Sequence, residues 1–144
     1  MRSYILAALV LATPFCAGSV ALAQERTPSA ASAEVYIISP KDGATVHNPV
    51  LVQFGLRGMG VAPAGMKFDN TGHHHLLIDT DPPSDLSTPL PATDRIVHFG
   101  KGQTETTLNL APGKHTLQLL FADANHIPHS PPVISQKITI TVKQ

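Results

Sequence analysis

Cysteine is nearly absent from this chain. Cys16 is the only one, and it falls in a segment that reads as an export signal. Arg2 supplies a positive start, residues 4–20 are mostly apolar, and Ala21-Leu22-Ala23 has the small-x-small form of a cleavage site. Residues 1–23 are therefore expected to be removed, which leaves a mature chain without a thiol. That excludes disulfides, thiolate metal sites and a cysteine nucleophile. An exported domain of this kind must hold together on its core alone, and its expected location is the periplasm or outside the cell. The apolar run is too short and too interrupted for a good membrane span, so no span is expected after cleavage.

Other absences narrow the function. There is no tryptophan and there are two tyrosines, too few flat amphipathic rings for a sugar-stacking platform or an aromatic-rich interface. The formal net charge is zero and no basic run occurs, which argues against nucleic acid and anionic membrane surfaces as partners. The three glutamates, Glu25, Glu34 and Glu105, lie away from the histidines in sequence. There is no HExxH and no GxSxG, and Gly100-Lys101-Gly102 reads as a turn rather than a phosphate cradle. The expectation is a protein that is not an enzyme. A metal with an open position and Asp79 or Asp123 as base is the catalytic alternative.

What the chain does have is alternation. Residues 24–33 are rich in Ser, Ala, Pro and Thr and read as a flexible linker. Residues 34–144 read as one domain, large enough for a real core. Strands are expected at 34–38, 50–56, 73–79, 96–99, 104–110, 114–122 and 134–142. Period-two faces carry Val50, Val52, Phe54 and Leu56, then Leu117, Leu119 and Phe121, then Ile138, Ile140 and Val142. Residues 80–92 hold four prolines and residues 123–132 are rich in Pro and His, so both are expected as loops. Seven short strands without a helix predict an all-β, antiparallel, immunoglobulin-like β-sandwich.

The functional signal is histidine. Gly72-His73-His74-His75-Leu76-Leu77-Ile78-Asp79 puts three histidines at the head of a strand, and Asn125-His126-Ile127-Pro128-His129 places a pair in a loop. In a strand His73 and His75 share one face, and His74 turns the other way with Leu76 and Ile78. The candidate metal ligands are His73, His75, His126 and His129, with Asp79 and Asp123 as acceptors that would orient their rings. Four neutral imidazoles suit zinc or copper. Met59 and Met66, soft donors in the preceding loop, tilt the expectation towards copper. Such binding should weaken as protons compete below about pH 6.5. His98 and His115 read as structural and His47 as solvated.

Several segments together resemble a bacterial exported family, domain-of-unknown-function family 4399 (DUF4399), across residues 34–142. They are Ser39-Pro40-Lys41-Asp42-Gly43-Ala44-Thr45-Val46, Phe54-Gly55-Leu56, Gly72 to Asp79, His98 to Glu105, Pro112 to Leu119, and His126-Ile127-Pro128-His129 through Pro132-Val133-Ile134-Ser135. The family implies a type of protein and no transferable activity. The first of these stretches is also similar to the opening strand of bacterial immunoglobulin-like domains, periplasmic copper-binding ones among them. The expected protein is a monomeric exported binding domain for a metal ion or small ligand. The alternative is a structural or interaction module of the cell envelope, with a protein partner there and histidines that stabilise its loops.

Overall fold

The computed structural model describes residues 25–143, so the expected signal peptide lies outside the described residues. Among those residues are ten strands and no helix. They are β1 (Glu34–Ser39), β2 (Thr45–His47), β3 (Val50–Arg57), β4 (Gly60–Val61), β5 (Thr71–Ile78), β6 (Ile96–His98), β7 (Glu105–Leu108), β8 (Gly113–Ala122), β9 (Pro128–Ile134) and β10 (Ile138–Lys143). One sheet has three strands in the order β1-β3-β7. The other has seven, built on β2-β10-β8-β5-β4, with β6 added to β5 and β9 to β8. The chain is the β-sandwich that its alternation predicts. Its pairing is mixed rather than purely antiparallel, because β2 runs parallel to β10 and β4 parallel to β5.

The core lies where period two puts it. Val50, Val52 and Phe54 face Leu76, Ile78, Leu117, Leu119, Phe121, Ile138, Ile140 and Val142 across the two sheets. Fully burying each such side chain is worth about 1.5–3 kcal/mol. With no disulfide among the described residues, this burial carries the fold.

The seven expected strands are present, and β2, β4 and β9 are additional. Strand β9 overlaps the second half of the expected Pro-His loop and carries Pro128, Pro131 and Pro132. Proline cannot donate to a sheet ladder and is tolerated at an edge. β9 is such a strand, pairing within the sheet with β8 alone. Residues 26–29 of the segment expected as a flexible linker lie along the outside of β9. The Ser130 amide donates to the Thr27 carbonyl at 2.9 Å, the Ser29 amide donates to the Ser130 carbonyl at 3.1 Å, and the Arg26 guanidinium donates to the carbonyls of Pro128 and His129. Composition alone reads as linker here, but the open edge of β9 supplies the backbone partners that order it.

One feature positions the site. Strand β5 and the C-terminal end of β8, residues 119–122, are buried on both faces. Their inner face lies in the sandwich. On the outer face Leu77, Leu120 and Ala122 are covered by Ile96 and by Leu90 and Leu86 of the proline-rich loop. This second, smaller core floors one side of the histidine site.

Candidate metal centre

Strand geometry places His73 and His75 on the outer face of the large sheet, with Leu77, and turns His74 inward. The register pairs His75 of β5 with His98 of β6, so those two imidazoles are direct cross-strand neighbours. His126 reaches the same spot from the loop between β8 and β9. The four rings form one cluster, with all six pairs of ring centroids 4.6–6.0 Å apart. Each can offer a nitrogen such that all four nitrogens lie within 4.8 Å of one another. This group could hold a metal ion.

The electrostatics suit a cation. Burial, with the His126 and His98 rings nearby, pushes the His73 pKa down to about 4. Burial and then the His73, His98 and His126 rings push that of His75 down to about 3. Burial, then His126, lowers His98 as well. The cluster therefore disfavours protons and keeps these rings in the neutral form that binds metal. Within it, His73 Nε2 lies 3.1 Å from His126 Nδ1. His73 Nδ1, His75 Nδ1 and His98 Nε2 are buried without a hydrogen-bond partner. Each such orphan costs about 1–3 kcal/mol.

The His98 ring packs close against Gly100. A Cβ there would come within 2.2 Å of His98 Cε1 and 2.4 Å of Nε2, so only glycine leaves room for the ring.

His129, expected in the ligand set, is not in the cluster. Because β9 begins at Pro128, His129 is a strand residue, fully buried and stacked on Phe121 at 5.9 Å. Phe121 points into the sandwich, on the side away from His73 and His75. His74 is there too, 5.2 Å from Phe54 and 5.1 Å from Phe121, its pKa pushed to about 4 by burial. His98 completes the cluster instead. The signal that could have found it is modest: Ile96 and Phe99 make a strand apolar on both faces, like 73–78, which marks two doubly covered neighbours. The partner register could not be read.

The two carboxylates part company. Asp79 lies at the far end of β5, where Oδ2 is 2.7 Å from His115 Nδ1 and Oδ1 accepts the Thr116 amide at 2.8 Å. It orients no cluster histidine, and His115 has the structural role expected of it. Asp123 stays near the site, close enough for its charge to act on His73, but its side chain is hydrogen-bonded elsewhere; its Oδ1 accepts the amides of Asn125 and Ile127 at 2.9 and 3.0 Å, which shapes the loop that carries His126. Of the two methionines, Met59 packs against the main core and Met66 is 48% exposed.

Fold and site together define a small all-β sandwich with a four-histidine cluster on the loop-covered face of its larger sheet. The chain belongs to the family described as Domain of unknown function (DUF4399), which matches residues 52–143 and so spans all four histidines. No curated protein and no solved structure matches the chain.

Proposed function

We propose that this protein is an exported domain that binds a transition metal ion, zinc or copper(II), through His73, His75, His98 and His126. The observation that carries the reading is the convergence of four imidazole nitrogens from three segments within 4.8 Å. A tetrahedron of Zn–N bonds at 2.0–2.1 Å has edges of about 3.4 Å, so modest ring rotations would close the set. An all-nitrogen donor set without the methionines favours the divalent ions over copper(I). All four ligands come from one chain, so a monomer suffices.

The site reads as a binding site rather than a catalytic one. Four protein ligands complete a tetrahedron, whereas catalytic zinc keeps a position open. Asp123 is already engaged by backbone amides, which leaves it poorly placed as a base. The signal-like residues 1–23 support export to the periplasm.

The test is titration of the untagged mature chain with Zn(II) and Cu(II). Affinity better than micromolar, lost in both His75→Ala and His126→Ala, is the expected result; weaker binding, or binding indifferent to these changes, ends the metal reading. Metal analysis of protein from the exported fraction then identifies the ion.

One observation favours a second reading, an envelope module with structural histidines: the 3.1 Å contact between His73 and His126 ties the loop to the sheet. On that reading His126→Ala lowers the melting temperature of metal-free protein and metal adds nothing.

A further inference from the structure

His126 is the one cluster histidine carried by a loop, and its backbone is left-handed, at φ 65°. Such a conformation is unfavourable for a residue with a Cβ, so the surroundings must impose it. They do so in three places. The His126 amide donates to the Asp123 carbonyl at 2.9 Å, and the Leu90 amide donates to the His126 carbonyl at 2.8 Å. The Asp123 carboxylate gathers the amides on either side of His126 through Oδ1. Its other oxygen, Oδ2, accepts the Thr27 hydroxyl at 2.6 Å. Thr27 belongs to the N-terminal segment, which is held on β9 by Ser29, Ser130 and Arg26.

Chain order hides this connection, because Thr27 is 96 residues from Asp123. We propose that residues 26–29 are a clasp that pre-organises the metal site, with Thr27 a positioning residue acting through Asp123 on His126. The inference rests on the metal reading above. With the clasp docked, the loop presents His126 to the three sheet histidines. With it released, Asp123 loses one of its partners and the loop gains freedom that metal binding must then remove. Coupling of this kind is reciprocal: if the clasp strengthens metal binding, metal binding must hold the clasp down by the same factor. Displacement of the segment by a tether or a protease would then loosen the ion.

The experiment measures both directions in the untagged mature chain. Thr27→Val keeps the shape and removes the hydroxyl, and it is expected to weaken Zn(II) binding by about tenfold, the low end of what ligand-orienting partners contribute. Thr27→Ser is expected to restore it, which a purely structural role for the side chain's bulk would not do. In the wild type, Zn(II) is expected to slow hydrogen exchange at the Ser29 and Ser130 amides, a readout that needs no variant to fold. Wild-type binding with Thr27→Val within twofold of it, or exchange at those amides unchanged by Zn(II), overturns the clasp alone. A wild type that binds neither Zn(II) nor Cu(II) overturns the metal reading and the clasp with it.

Discussion

His98→Ala removes from the cluster a residue whose membership depends on a strand register. Loss of a group that merely orients a ligand weakens a metal site by about 10–100-fold, so loss of a ligand should reach at least about 100-fold. With Zn(II) at about 100 times the wild-type Kd, binding stabilises the folded chain by about 2.7 kcal/mol; at the same concentration the variant sits near its own Kd and gains about 0.4 kcal/mol. A domain of about 120 residues unfolds with an entropy of about 0.25 kcal/mol/K. The metal-induced rise in Tm should therefore be about 11 °C for the wild type and about 2 °C for His98→Ala. His129→Leu, which fills a buried site beside Phe121, should keep the full rise. Scanning calorimetry with Zn(II) and with chelator makes the comparison. Each protein is its own reference, so a general loss of stability cancels. Equal rises in wild type and His98→Ala, or a rise lost in His129→Leu, would refute the assignment of ligands.

Gly100→Ala should weaken Zn(II) binding by about tenfold, since its Cβ would displace the His98 ring; calorimetric titration measures this, and unchanged affinity contradicts the packing. Leu77→Ala should destabilise the metal-free chain by about 2–5 kcal/mol, because Leu77 is 1% exposed beneath Leu90 and Ile96; a urea-melt difference below about 1 kcal/mol would mean that the proline-rich loop does not close over it. The pH dependence has a definite sign. Hydrogen bonding to Asp79 raises the His115 pKa, so its stabilisation is present below about 6.5 and is lost as pH rises through the raised value. Burial acts to raise the Asp79 pKa, but the bonds to His115 and Thr116 with the charges of His115 and Arg95 together outweigh it and lower it, so its share is present above about 3.8 and is lost only as pH falls through the lower value. His115→Gln should therefore lower Tm more at about pH 5.5 than at about pH 9, and the reverse order refutes the pairing. His73 and His75, with pKa values of about 4 and about 3, work the other way. Metal-free Tm should fall as pH drops from about 6.5 towards 4, because the unfolded chain takes up protons that the folded one refuses; a Tm that rises on acidification contradicts the burial of these rings.

Local patterns in the sequence determined a good deal. Alternation marked β3, β8 and β10 and their inward residues, because side-chain direction in a strand follows from position alone. The same rule split the histidine run into an outward pair, His73 and His75, and an inward His74. The Pro-His segment, read as a loop, separately made His126 a candidate partner. What only the tertiary structure decided depends on which segments meet. The register of β6 against β5 brought His98 to His75, and no local pattern encodes a register between strands joined by a long loop. Pairing with β8 drew three prolines into a strand, which turned His129 into the sandwich and out of the cluster, and the open edge of that strand ordered a segment that composition marks as linker. Thr27 came to brace Asp123 for the same reason. Direction along a strand is written in neighbouring residues, whereas the choice of partner is made by burial and backbone pairing across the whole chain.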